Sequence, residues 1–171
     1  MRHAKSTWDD PKLSDHARPL NARGRQAAAA MRRAMIELGL APDVVLVSSA
    51  RRTLQTLEAL EPWDDTPLIE PMDALYLADA DRLLSVLHRV SLTARSVLLL
   101  AHNPGLHDLA IKLTSDDQMR AGSPLARKLE AGYPTGALAE FTIGVPWDAV
   151  GAGAGRLQRF FGPRDLPEPA F

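Results

Sequence analysis

Three polar clusters in this 171-residue chain hold the residues best suited to chemistry on an anion. They are Arg2-His3-Ala4-Lys5-Ser6, Ser48-Ser49-Ala50-Arg51-Arg52-Thr53-Leu54-Gln55-Thr56, and Ala101-His102-Asn103-Pro104-Gly105. Brought together, Arg2, Arg52, His3 and His102 would enclose a tetrahedral anion. Guanidinium forks bond phosphate oxygens bidentately, and a helix beginning near Ser49 or Asn103 would add oriented N–H groups and the positive end of its dipole. A phosphoryl group is the natural guest. The chain has no cysteine. Disulfides, thiolate zinc sites and cysteine nucleophiles are therefore excluded, and covalent or metal chemistry falls to His, Asp, Glu, Ser, Thr or Lys.

These clusters need a scaffold that delivers them to one place. Asp43 to Ser48 is a short apolar run rich in β-branched residues, the pattern of a strand buried on both faces, and it leads directly into a helix ending near Leu60. Ser96 to Ala101 is a second such strand, followed by a helix from about Gly105 to Leu113. Asn21 to Leu38 reads as a helix capped by Asn21, carried by the alanine run Ala27 to Ala30 and stopped by Gly39. Asp79 to Val90 repeats the helical pattern, with Leu83, Leu84, Leu87 and Val90 on one face. Ser123 to Ala131 is a further candidate helix. Ala137 to Ile143 and Arg156 to Phe161 are candidate strands, with a turn at Gly151 to Gly155 between them. The tail from Pro163 is expected to lie over the surface without regular structure.

Alternating strands and helices predict an α/β fold of three layers, α/β/α, with a mostly parallel central sheet. Parallel strands deliver their carboxyl ends to one edge, so the polar clusters should converge there. The length fits one domain, residues 1–171. Composition is globular, at 46% hydrophobic and 24% charged residues. A net charge of −1 gives no general attraction to nucleic acid or to an anionic membrane. There is no apolar run of membrane-spanning length and no secretory signal pattern, which predicts a cytoplasmic chain, read here as a monomer.

The clusters resemble the histidine phosphatase (phosphoglycerate mutase-like) superfamily, and within it the SixA-like phosphohistidine phosphatases. Arg2 to Ser6, Arg18-Pro19-Leu20 with Gly24, Ser48 to Thr56, His102 to Gly105, Pro134-Thr135-Gly136 and Pro163-Arg164-Asp165-Leu166 carry the resemblance in order along nearly the whole chain. It implies a phosphatase in which His3 is the nucleophile and forms a phosphohistidine intermediate. Arg2, Arg52 and His102 would hold the phosphoryl oxygens, with Arg52 preferred to Arg51 on motif register. Arg18, Ser6 and Asn103 are candidate substrate-binding residues. No cofactor and no metal is implied. The expected substrate is phosphohistidine on a protein, in a signalling or uptake relay. The alternatives are a small-molecule phosphomonoesterase of the same fold and a non-catalytic phosphate-binding module.

Relatives acting on phosphate monoesters use a carboxylic acid to protonate the leaving alkoxide. The candidates in this sequence are Asp73, Asp79 and Asp81. Asp79 is better explained as a helix cap, and Asp73 is carried forward as the candidate general acid. Ala4 stands where many superfamily members have glycine. Relatives also have several apolar residues before the Arg-His pair, so the first strand reads as truncated, with a nucleophile on a frayed terminus.

Other residues receive plainer readings. His16 and His88 are expected to be solvated, and the spacing of His107 from His102 does not make a metal pair. Arg32-Arg33 reads as a solvated helix face, and Lys5 as a loop residue near the substrate. Trp8, Trp63 and Trp147 are too scattered to form a base-stacking platform. The loops Thr7 to Ala17 and Pro62 to Ala80 are expected to shape the substrate pocket.

Overall fold

The computed structural model describes residues 1–167. Helix α1 (Ala22–Glu37) leads to strand β1 (Val44–Ser48), helix α2 (Arg51–Leu60), strand β2 (Leu68–Met72), helix α3 (Ala80–Leu87) and strand β3 (Val97–Leu100). Helices α4 (Gly105–Leu113), α5 (Asp116–Arg120) and α6 (Pro124–Glu130) follow, then strands β4 (Leu138–Ile143) and β5 (Gly155–Phe161). Strands β2, β1 and β3 form a parallel sheet in that order, and β4 pairs antiparallel with β5 in a second sheet.

Every residue of β1 is buried. Its alternate side chains serve two cores: Val44 and Leu46 pack with Leu83, Leu87, Leu106 and Leu109 of α3 and α4, whereas Val45 and Val47 pack with Met31, Met35, Leu57 and Leu60 of α1 and α2. This division follows from the two-residue period of a strand, and it gives the expected three layers. α1 starts as expected, the Asn21 side chain accepting a hydrogen bond from the Gly24 N–H at 2.8 Å.

Two glycines permit the contacts that shape the site. A Cβ on Gly24 would lie 2.0 Å from the Lys5 carbonyl oxygen, and one on Gly105 would lie 1.9 Å from that of Ala78. Only the absence of a side chain lets α1 close on the segment after His3 and α4 close on the loop before α3.

The opening residues correct one expectation. The first strand is short, a single parallel bridge from Arg2 to Ala101, but its backbone is paired on both sides. The His3 N–H donates to Ala101 and the Ala101 N–H to Met1, while the Arg2 N–H donates to Ala137 and the Gly136 N–H to His3. Met1 is buried at 4% exposure. The nucleophile candidate thus stands on a segment stitched between the two sheets, not on a frayed end.

Three further differences have local causes. β2 lies within the stretch expected to be loop; it is a mostly exposed edge strand, which is where Pro71 is tolerated. α5 buries none of its residues and so leaves no apolar period to read. Pro163–Asp165 forms a 3₁₀ turn held by the Gly162 N–H on the Asp165 carboxylate, in place of the irregular tail expected there. The rest of that tail expectation, residues 168–171, lies outside the described residues.

Candidate active site

At the carboxyl ends of β1 and β3 lies a cavity of about 420 Å³ lined by twelve residues, among them Arg2, His3, Ser6, Arg18, Arg52, His102 and Asn103. All seven residues expected to bind or act on a phosphoryl group therefore share one cavity. The segment from Arg2 to His3 brings the first pair, the start of α2 brings Arg52, and the end of β3 brings His102. Thr56 locks this geometry from α2: its hydroxyl donates to the Arg52 carbonyl and accepts from the Ala4 N–H at 3.0 Å. The Gln55 side chain accepts from the Leu20 N–H at 2.8 Å, tying α2 to the Arg18-Pro19-Leu20 segment.

His3 is buried, and its Nδ1 lies 2.7 Å from the Ala4 carbonyl oxygen, which can only accept. The proton is thereby fixed on Nδ1, and Nε2 carries the lone pair. Arg52 Nε donates to that Nε2 at 3.3 Å. Burial, with the charges of Arg52, Arg2 and Arg18 adding to it, pushes the His3 imidazole down to about 4 despite the opposing Ala4 hydrogen bond. His102 is held lower still, at about 3, by burial and then by His3 and Arg52. Its Nδ1 accepts from Arg52 Nη2 at 3.3 Å and its Nε2 lies 2.7 Å from the Ser48 hydroxyl. The two rings are 5.2 Å apart with the Arg52 guanidinium bonded to both. Both imidazoles are neutral at pH 7.

The arginines differ in what they have left to give. Arg18 spends its Nε and Nη2 on Asp15 and its Nη1 on the Ser6 hydroxyl and the Thr7 carbonyl. Arg2 donates from Nη1 to the Tyr133 carbonyl, and its Nε has no partner. Asn103 Nδ2 donates to the same Tyr133 carbonyl, leaving Oδ1 without a partner.

Asp73, carried forward as the general acid, is exposed and does not line the cavity. Asp79 accepts from the Arg82 N–H as the cap of α3, and Asp81 pairs with Lys112. The carboxylate that does line the cavity is Asp15, which sequence reasoning passed over. It sits in a loop three residues before Arg18, with no periodic element to give it an address. Asp15 accepts from Arg18, from Arg52 Nη2 at 3.1 Å and from the Tyr76 hydroxyl, and its carbonyl accepts from Arg52 Nη1 at 2.7 Å. Burial pushes its carboxyl up, but the Tyr76 and Arg18 hydrogen bonds and the Arg52 charge outweigh that and hold it at about 2. Asp15 is ionised and orients both guanidinium groups.

Two histidines expected in solvent are half-buried and bonded. His16 Nε2 lies 2.9 Å from the Ser49 hydroxyl with its ring edge-on to Tyr76, and His88 Nε2 bonds the Val150 carbonyl at 2.7 Å. Both positions depend on pairings between distant segments. No local pattern signals them.

Comparisons with known proteins identify the family. A family profile described as the histidine phosphatase superfamily, branch 1, matches residues 1–75. An uncharacterized protein of Mycobacterium tuberculosis strain H37Rv is 33% identical over 165 residues, which is 96% of this chain and 100% of that one. The chain belongs to the histidine phosphatase superfamily. An uncharacterized chloroplastic protein of Arabidopsis thaliana is 31% identical over 124 residues, spanning 67% of this chain and only 57% of the plant protein. Among solved structures, a Nakamurella multipartitia protein assigned as the phosphohistidine phosphatase SixA superposes with a TM-score of 0.82 at 27% identity, over 95% of this chain and 93% of that one. One from Agrobacterium tumefaciens, assigned likewise, gives 0.76 at 28% identity over 95% and 94%. SixA complexed with tungstate shares the fold, with a TM-score of 0.77 at 24% identity over 98% and 97%. The chain is a histidine phosphatase with the SixA-like, phosphoglycerate mutase-like fold.

Proposed function

We propose that this histidine phosphatase acts on phosphohistidine carried by a protein, passing the phosphoryl group through His3 Nε2 and then to water. The observation that carries the reading is that the described residues put no protonated acid in the site. Among the described residues Asp15 is the one carboxylate lining the cavity, and it is held ionised at about 2. An alkoxide leaving group would have to depart without a proton donor, whereas an imidazole protonated on nitrogen departs as a neutral molecule. The SixA assignments of two structural relatives point the same way.

In the first step a bond forms between His3 Nε2 and phosphorus while the donor's phosphorus–nitrogen bond breaks. The donor imidazole leaves with its nitrogen protonated from solvent. The Ala4 carbonyl keeps its hold on Nδ1–H and stabilises the positive charge that develops on the phosphorylated ring. Arg52 turns its Nε and Nη2 bonds from the two histidines to the phosphoryl oxygens, and Arg2, which also lines the cavity, adds its guanidinium charge. Such bonds stabilise charge spread over the transferring group, where phosphoryl transfer draws most of its catalysis. Water then attacks phosphorus, releasing inorganic phosphate and a proton and returning His3 neutral.

The reading extends to a single domain over residues 1–171, working as a cytoplasmic monomer. Among the described residues no helix is long and apolar enough to cross a membrane. Phosphate release from a phosphohistidine-bearing phosphotransfer domain and from an aryl phosphate, measured side by side, tests the proposal. Faster turnover of the phosphohistidine donor that vanishes in His3→Ala is expected. Preference for the ester would make the chain a phosphomonoesterase, and phosphate binding without turnover would make it a binding module.

A further inference from the structure

Three of the twelve residues lining the site are exposed: Lys5, Trp8 and Leu77. Trp8 is 74% exposed and Leu77 is 54% exposed, and among the described residues they are the only apolar side chains in a cavity otherwise lined by charged and polar groups. The floor is buried by contrast, His3 standing at 7% exposure and His102 at 2%. The cavity thus has a polar floor and a rim of two apolar groups and one cation.

Both apolar groups are held in defined positions at the rim. Trp8 rests one face on Arg18, whose guanidinium carbon lies 3.4 Å from the ring centroid, and that guanidinium is already spent on Asp15, Ser6 and Thr7. Leu77 has a φ of 49°, and among the described residues it alone adopts a positive φ without being glycine. An ordinary side chain is strained in that region, and such residues gather at functional sites.

We infer that Lys5, Trp8 and Leu77 form a docking rim for the protein that carries the phosphoryl group. The inference rests on the phosphohistidine reading above. The floor offers a phosphoryl group Arg2, His3, Arg52 and His102, which leaves the exposed rim to what lies beyond it. A small hydroxylated ester would leave both apolar groups in water. A folded protein that projects its phosphohistidine from an apolar patch would cover them, with a carboxylate beside the patch to meet Lys5. Aromatic side chains contribute disproportionately to such contacts. The occupant is therefore a phosphoprotein domain, with a phosphohistidine set in an apolar surface and flanked by an acidic residue.

Turnover of two donors by wild type, Trp8→Ser and Leu77→Ser tests this. The donors are the phosphohistidine-bearing phosphotransfer domain and phosphoramidate, which has the phosphorus–nitrogen bond and no surface. Each substitution is expected to lower kcat/KM on the domain by about tenfold or more, through KM, the scale of one interface hot spot. Phosphoramidate turnover should stay within about twofold of wild type. Equal losses on both donors would overturn the inference by assigning the rim to the chemistry, through Arg18 in the case of Trp8. No loss on the domain would overturn it directly. Trp8 is the rim residue stacked on Arg18, so Leu77→Ser separates these outcomes. Wild-type turnover of aryl phosphate but not of the domain would instead defeat the phosphohistidine reading, and the docking rim would fall with it.

Discussion

Two concavities among the described residues have opposite character. The site at the carboxyl ends of β1 and β3 is the smaller, at about 420 Å³. A larger cleft of about 610 Å³ opens between β3 and β4, lined mainly by apolar side chains such as Met35, Leu98, Leu106, Phe141 and Trp147. A large apolar pocket is the usual first guess for a binding site. Here it holds none of the interlocked histidines and arginines, and the chemistry sits where neutral imidazoles, guanidinium groups and one ionised carboxylate converge. Volume marks where strands β3 and β4 stand apart; the arrangement of hydrogen bonds marks where a reaction is prepared.

After loss of His3 itself, the largest effect expected from breaking that arrangement is at Asp15. Asp15→Asn should lower kcat/KM by about 100-fold, since it releases Arg52 and Arg18 from one anchor and small misplacements of a positioning group cost that much. Asp73→Asn, which alters an exposed side chain away from the cavity, should stay within about twofold of wild type, a scale on which surface changes are felt. Equal rates for the two variants would remove Asp15 from the account.

Protonation comes next. Both site imidazoles have pKa values depressed from 6.5, to about 4 for His3 and about 3 for His102. Ring resonances followed by NMR should stay in the neutral form down to about pH 5 and shift only below it. The unfolded chain, with ordinary imidazoles, binds protons from about pH 6.5 downward while the folded chain does not. Stability must therefore fall as pH falls through that window and recover as pH rises. Urea midpoints at pH 7 and pH 5 check the sign. A midpoint near 6.5 for His3 would mean that its burial and its arginine neighbours do not govern its charge.

The smallest effect on turnover is expected in the cleft. Leu98→Ala should lower the unfolding free energy by about 2–5 kcal/mol, the cost of emptying a core position, and leave kcat within about twofold. A large loss of activity in a variant that remains folded would join the two concavities functionally.

What could be read without coordinates follows the same divide. β1 and β3 were legible because a strand buried on both faces is a continuous apolar run, and each ends in a polar cluster. That placed Arg52 and His102 at one sheet edge beside Arg2 and His3. Asp15 and Tyr76 were not legible. Each lies in an irregular loop, and their value comes from a bond between residues 61 positions apart. The exposed Asp73 was carried forward because relatives use a carboxylic acid, but sequence carries no sign of which way a side chain in a short turn will point. β2 and α5 were hidden for the opposite reason: they bury too little to impose a period.

The central claim is that His3 carries the phosphoryl group covalently. Rapid mixing with a phosphohistidine donor, quenching in alkali and mapping the attached phosphate by mass spectrometry tests it most directly. The account predicts phosphate on His3, absent from His3→Ala and accumulating when water attack is slowed. Phosphate release at the full rate with no label on His3, or with the label on another residue, would contradict it.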